Sequence, residues 1–296
     1  MTTAAAAGTW KLGDVTVNRM GFGAMRITAN PDRSVAIDVL RRAVELGVNH
    51  VDTAAFYVSP GGTLRVGEGE KRYANELIRE ALAPYPDGLV ITTKVGPGEN
   101  AERGFYHATT AAELREQVET NLRQLGVDAL DVVNLRIMKK PGEDSLTERF
   151  GWLAALRDEG LIRQLGVSNV RIDHVEEALA IAPVVCVQNS YAVDLRRDED
   201  QLIAFCAERG IAYVPFFAIA GSSREGGATT DHSTVVENLA ATHNVTPQQV
   251  RLAWTLHQSP NILAIPGTGN PSHLEENIAA GALQLSPEEL ASLDLN

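Results

Sequence analysis

The feature that most limits how this chain can fold is an alternation. Eight short runs, seven of them with β-branched residues, "MGFGAM", "NHVDTA", "LVITTK", "LDVVNL", "RQLGVSN", "VVCVQN", "IAYVPFF" and "NILAIPG", are separated by amphipathic segments. Segments such as "DRSVAIDVLRRAVELG", "AAELREQVETNLRQLG", "TERFGWLAALRDEG" and "DEDQLIAFCAERG" place apolar residues three to four apart, and most end at glycine, which is the period and the stop signal of a helix. Runs that are apolar on both faces suit parallel strands covered by helices. Eight such units within 296 residues predict an α/β fold, a closed (β/α)8 TIM barrel forming one domain over residues 1–296. A doubly wound open sheet is the alternative. It normally carries a G-x-G-x-x-G turn after its first strand, a pattern that "GFGAM" fails, and no G-x-x-x-x-G-K-S/T occurs. Ahead of the first unit, "TWKLGDVTVNRMG" reads as two short strands around Gly13-Asp14, an N-terminal β-hairpin that closes the barrel floor.

Charge narrows the partners. With 38 acidic and 26 basic residues the net charge is −12, which repels phosphate backbones and anionic bilayers over most of the exterior. Nucleic acid and membrane are therefore not expected partners. No apolar run approaches the roughly 18 residues of a membrane span, and "MTTAAAAGTW" lacks the pattern of a secretion signal. Only two cysteines occur, and Cys186 sits inside the apolar run "PVVCVQN", as a buried reduced thiol would. A cytoplasmic protein fits. The seven histidines show no metal-ligand spacing, so no metal is expected.

Barrel enzymes work at the C-terminal ends of their strands, and there the chain places polar residues in succession. Asp52 ends the second strand, Lys94 the third, Asn134 and Arg136 the fourth, Ser168 and Asn169 the fifth, and Gln188 and Asn189 the sixth. Two glycine-rich segments, "VSPGGTLRVGEGEKR" after Tyr57 and "AIAGSSREGGATTDHS" after the seventh strand, read as flexible loops on that face. Taken singly, Asp52 or Ser168 could cap a helix, Lys94 could snorkel, and Tyr57 could pack over the rim. Taken together, they assemble a proton-transfer site. A tyrosine of ordinary pKa near 10 donates poorly at neutral pH, and a nearby lysine cation lowers that pKa while Asp52 holds the lysine charged.

These residues resemble the aldo-keto reductase family over nearly the whole chain: "GFGAM", "VDTAAFY", "ITTK", "LGVDALDVVNL", "GLIRQLGVSN", "CVQNSY" and "IPGTGNPSHLEEN" follow in that family's order. The resemblance implies a barrel that binds NADPH and moves hydride to a small-molecule carbonyl. It implies Asp52, Tyr57 and Lys94 as catalytic residues. It implies cofactor contacts at Gly23, Met25, Ser168, Asn169 and Gln188, with Phe216 stacking on the ring where tyrosine or tryptophan is more usual. The adenosine phosphate end would meet Gly267, Thr268, Asn270 and His273, with Glu276 and Asn277 near the adenine. Gly267 and His273 stand where NADPH-dependent members often carry Lys or Arg. Most members read "QLH" at the end of strand four; here "NLRIM" puts Arg136 at the fourth catalytic position, either as a donor to a developing oxyanion or in a structural ion pair. The likeness is greatest to the bacterial pyridoxal reductases, or pyridoxine 4-dehydrogenases, which implies a compact aromatic aldehyde as substrate. Two other readings use the same residues. A nicotinamide-binding sensor with lost turnover is one, and a barrel lyase forming a Schiff base at Lys94 is the other.

Overall fold

The chain enters through the hairpin that the sequence announces. In a computed structural model describing residues 2–62, 64, 67–100, 102–138, 145–196 and 199–295, Thr9–Leu12 (β1) and Val15–Asn18 (β2) pair antiparallel. Gly13 turns between them at φ 67°, a conformation that costs glycine little. Leu12 and Val17 then point into the barrel and pack on Val90, Val132, Cys186, Ala212 and Leu263. They plug the floor.

The later strands are Phe22–Gly23 (β3), His50–Asp52 (β4), Val58–Ser59 (β5), Arg72–Tyr73 (β6), Val90–Val95 (β7), Pro97–Asn100 (β8), Gly104–His107 (β9), Leu130–Arg136 (β10), Ile162–Ser168 (β11), Cys186–Gln188 (β12) and Ala212–Tyr213 (β13). Seven of them form one parallel sheet in the order β13-β12-β11-β10-β7-β4-β3. Helices cross between them: Arg33–Glu45 (α1), Ala74–Leu82 (α2), Ala111–Leu125 (α3), Thr147–Asp158 (α4), Ile172–Leu179 (α5), Glu199–Glu208 (α6), Thr234–His243 (α7), Pro247–His257 (α8), Pro271–Ala279 (α9) and Pro287–Asp294 (α10). The (β/α)8 expectation holds, with a shorter eighth strand than the sequence suggests. Residues 261–264 close the ring by bonding both edges: Leu263 N donates to Tyr213 O at 2.9 Å, and Gly21 N donates to Ala264 O at 2.8 Å. Only isolated bridges result. Pro260 and Pro266 bracket this run, and neither has an N–H to extend a ladder.

Local chemistry sets where helices begin. Asp32, Thr110, Ser233, Thr246, Asn270 and Ser286 each accept a backbone N–H in the first turn of the helix that follows, and α8, α9 and α10 carry proline at their first positions. A buried polar relay then ties α2 and α3 to the strands that carry the site. Thr53 Oγ1 donates to Asn75 Oδ1 at 2.7 Å, Asn75 Nδ2 to Asn121 Oδ1 at 2.9 Å, and Thr93 Oγ1 to the same oxygen at 2.5 Å. Thr53 follows Asp52 and Thr93 precedes Lys94, so the relay fixes the backbone beside both.

One ionisable group lies under the barrel and away from that face. His50 opens β4, is 2% exposed, and fills the space that a side chain at Gly21 would occupy: a Cβ there would lie 2.1 Å from the imidazole. Burial pushes its pKa down to about 4 because the charged ring loses its hydration. Below pH 6.5 the unfolded chain takes up a proton that the folded chain refuses until about pH 4. Stability is thus lost as pH falls through that window, by about 3 kcal/mol for this group. Urea denaturation across pH 4–7 is expected to show that the difference in stability between wild type and His50→Gln changes by about this amount over the window, favouring the variant in acid.

Candidate active site

Strand order decides what meets at the mouth. β4 and β7 are neighbours, with Asp52 opposite Thr92, so the inward side chains at the ends of both strands approach each other. Lys94 Nζ donates to Asp52 Oδ1 at 2.6 Å and Oδ2 at 2.7 Å, and to the Thr53 carbonyl at 3.0 Å. A further side-chain hydrogen bond joins the same ammonium to Tyr57. Gln188, at the end of β12, donates to Asp52 Oδ2 from across the barrel at 2.7 Å and accepts from Asn134 at 3.5 Å. Lys94 is 2% exposed. Burial disfavours its charge, but the Asp52 carboxylate, Tyr57 and the hydrogen bonds to them outweigh that cost and hold its pKa above the ordinary lysine value. Lys94 is an ammonium.

Tyr57 reaches the same point from a turn rather than a strand. Its N–H donates to Ala54 O at 3.0 Å, which folds residues 54–57 back over the end of β4. Lys94 Nζ lies 4.8 Å from the centroid of the Tyr57 ring. The direction of the Tyr57 shift corrects the sequence expectation. Burial raises the phenol's pKa above its usual value, and Lys94 and Arg136 pull it back only in part. The proton therefore stays on the phenol at neutral pH, and the nearby cations act on the phenolate once it forms.

Tyr57 faces a cavity of about 1080 Å³, its open mouth included, which Asp52, Phe56, Arg136, Phe216 and Gly267 also help to line. Arg136 ends β10. Its Nη1 donates to Ser168 Oγ at 3.2 Å and its guanidinium lies 4.9 Å over the Phe216 ring, so both partners come from the strand ends β11 and β13.

Both glycine-rich segments contain short regular elements among their described residues. The segment after Tyr57 begins and ends as a two-stranded pair, β5 with β6. Arg72 is buried and donates to the carbonyls of Thr28, Glu68 and Glu70, which ties the insertion to the loop after β3. Residues 63, 65 and 66 of it lie outside the described residues. The loop after β13 holds a short 3-10 helix, Gly221–Gly226, and contributes Arg224 and Gly227 to the cavity wall.

Comparisons with known proteins agree with this architecture. The model of the Aldo/keto reductase family matches residues 19–295. The chain belongs to the aldo/keto reductase family. It is 46% identical to the pyridoxine 4-dehydrogenase of Escherichia coli over 97% of each chain. It is 36% identical to an uncharacterized oxidoreductase of Schizosaccharomyces pombe, over 98% of this chain and 90% of the other. Among solved structures, an aldo/keto reductase of Klebsiella pneumoniae in complex with NADP and acetate superposes with a TM-score of 0.76 at 26% identity, covering 97% of this chain and 94% of that one. Membership makes this aldo/keto reductase an oxidoreductase of carbonyl and alcohol groups.

The residues that the family resemblance assigns to the cofactor fall into three groups. Gly23, Met25, Phe216 and Gly267 line the cavity. Ser168, Asn169 and Gln188 lie at or just beyond the ends of β11 and β12 and are not among its lining residues: Ser168 Oγ accepts from Arg136, Asn169 Nδ2 donates to Ile137 O at 2.7 Å, and Gln188 is bound to Asp52. The third group surrounds the start of α9. Thr268 Oγ1 accepts from Asn270 N and Asn270 Oδ1 from Ser272 N, His273 is exposed, and Glu276 is half-buried. Asn277 is buried, and its Nδ2 has no hydrogen-bond partner, an arrangement that a nucleobase acceptor would relieve. Gly267 has a structural reason: a Cβ there would lie 2.4 Å from the Gly23 carbonyl oxygen. A longer side chain is excluded by the barrel seam.

Several cavity residues escaped the sequence reading: Phe56, Arg26, Arg224, Phe217, Met138 and Phe105. Phe105 sits on the hairpin β8–β9, for which "ERGFYH" carries a turn glycine followed by aromatics, a signal that could have found it.

The Asp52–Lys94 pair makes a sharp stability test. Asp52→Asn leaves a buried ammonium without its counter-charge and is expected to cost about 3–5 kcal/mol. The double variant Asp52→Asn, Lys94→Met removes both charges and is expected to recover much of that loss in chemical denaturation.

Proposed function

We propose that this aldo/keto reductase is an NADPH-dependent enzyme that reduces a compact aromatic aldehyde to the alcohol, with pyridoxal as the first candidate. The observation that carries the reading is the ammonium of Lys94, fixed by Asp52 at 2.6 Å and set 4.8 Å from the Tyr57 ring at the floor of an open cavity. Tyr57 donates its proton to the carbonyl oxygen, and Lys94 lowers the cost of the phenolate left behind. Asp52 keeps Lys94 charged and placed. Arg136, always charged, cannot shuttle a proton. Its guanidinium, held by Ser168 Oγ and the Phe216 ring, turns positive charge toward the oxygen where negative charge develops. NADPH, when bound, supplies the hydride.

The chain's own groups suit that cofactor. The start of α9, where Gly267, Thr268, Asn270 and His273 gather, would hold the phosphates, Glu276 and the unpartnered Asn277 amide the adenine, and Phe216 with Ser168, Asn169 and Gln188 the nicotinamide end. Gly23 and Met25 complete the wall. The E. coli relative's name, pyridoxine 4-dehydrogenase, and a cavity flanked by Phe56, Phe105 and Phe216 support a flat aromatic substrate. The Schiff-base reading meets a physical obstacle: a nucleophilic amine must be neutral, and Lys94 is held as a cation. A sensor without turnover gains no support from a site in which Tyr57, Lys94 and Asp52 converge. Two buried free thiols, Cys186 and Cys206, suit a reducing, cytoplasmic setting, and no helix among the described residues is long and apolar enough to cross a membrane.

Initial rates of NADPH oxidation with pyridoxal and with 4-nitrobenzaldehyde test the reading. Tyr57→Phe is expected to lower kcat by about 10²-fold or more while leaving NADPH binding, followed by fluorescence quenching, in place. An unchanged rate would refute Tyr57 as the acid.

A further inference from the structure

Phe105 stands out among the residues of the cavity lip. It is 48% exposed, one of three large apolar side chains so placed among the described residues, and of Phe105, Leu179 and Leu295 only Phe105 lines the cavity. Single exposed apolar residues are ordinary on a surface, but one at the lip of a ligand cavity is a contact in waiting. Its ring is not loose. It meets the Phe56 ring edge to face at 6.1 Å and 85°, and the His107 ring at 6.0 Å and 87°. Phe56 in turn meets Tyr57 at 5.2 Å and 80°. An unbroken series of near-perpendicular rings thus runs from the catalytic phenol to the cavity lip.

The backbone under Phe105 is built to hold that position. β8 begins two residues after the end of β7, the strand that carries Lys94, across Gly96. Gly96 has φ 108°, and a Cβ there would lie 2.5 Å from the Arg136 carbonyl oxygen. The hairpin therefore leaves the barrel wall at a point wedged between two catalytic strands. Its partner strand is secured from both sides. Arg103 stacks 4.2 Å over Tyr106 and pairs with Glu113 at the start of α3, and Glu99, opposite Phe105 in the ladder, pairs with Lys71 of the insertion at 3.1 Å.

From this placement we propose that Phe105 is a specificity-determining residue, whose ring stacks on the aryl group of the substrate while Tyr57 engages its carbonyl. The inference rests on the carbonyl-reductase reading and adds to it a means of selecting aryl over aliphatic aldehydes. The β8–β9 hairpin carries this preference, and the insertion steadies the hairpin through Lys71 and Glu99.

Wild type, Phe105→Ala and Phe105→Tyr are compared with benzaldehyde, cyclohexanecarbaldehyde and propanal at saturating NADPH. Equilibrium binding of benzyl alcohol is measured in parallel by calorimetry, a readout that needs no turnover. Phe105→Ala is expected to raise KM for benzaldehyde and to weaken benzyl alcohol at least about fivefold, the loss of one aromatic contact and its burial. The loss with propanal should be several-fold smaller than that with benzaldehyde, and Phe105→Tyr should restore the wild-type preference. Equal losses for benzaldehyde, cyclohexanecarbaldehyde and propanal, or unchanged benzyl alcohol binding in Phe105→Ala, would overturn the proposal. If no aldehyde is reduced by wild type, the reductase reading fails, and the benzyl alcohol measurement still decides whether Phe105 meets an aryl ring.

Discussion

The ion pair between Asp52 and Lys94 organises the site more than any other contact. Two charges this deep in a barrel are expensive to desolvate, and the structure offsets that cost by leaving neither underused. The ammonium donates to the two carboxylate oxygens and the Thr53 carbonyl and also reaches Tyr57, and the carboxylate also accepts from Gln188. Because these bonds come from β4, β7 and β12, the pair couples opposite walls of the barrel. Behind it, Asn75 and Asn121 hold the backbones of both strands through Thr53 and Thr93. A positive charge is thereby kept beside the Tyr57 ring, where it offsets part of the burial that disfavours the phenolate.

The same barrel imposes a constraint where its ends meet. Gly23 and Gly267 approach so closely that a Cβ on either would lie 2.4–2.5 Å from a carbonyl oxygen of the other segment. The seam is closed by the run from Asn261 to Ala264, bonded to β13 on one side and to Arg19 and Gly21 on the other. Glycine at position 267 is thus a packing requirement, and the basic residues on the cavity wall are Arg26, Arg136 and Arg224.

Much of this was legible in the residues. Hydrophobic period separates strands from helices, and a barrel of successive strand ends brings Asp52, Lys94, Arg136, Ser168 and Gln188 to one face because parallel strands all point the same way. Tyr57 was readable as a neighbour of Asp52. What period cannot carry is contact across the barrel. The Gln188 bond to Asp52 joins residues 136 positions apart, and neither residue type announces the other. The hairpin β8–β9 is not legible in the period for a related reason: of the four residues of β9 only Tyr106 is buried, so no alternation marks the strand. The sign of the Tyr57 shift was also misjudged, since the strength of burial depends on what surrounds the ring.

The amino-acid sequence by itself determined the architecture, the N-terminal plug, the acidic exterior and the set of polar residues available at the mouth, because each follows from local period, turn chemistry or charge count. Only the tertiary structure decided which of those residues touch. It set the protonation of Tyr57 by the balance of burial against Lys94, gave Arg136 its supports in Ser168 and Phe216, and brought Phe105 to the cavity lip. Distances between strands and the exclusion of water come from closing the barrel, and these determine what a charge is worth.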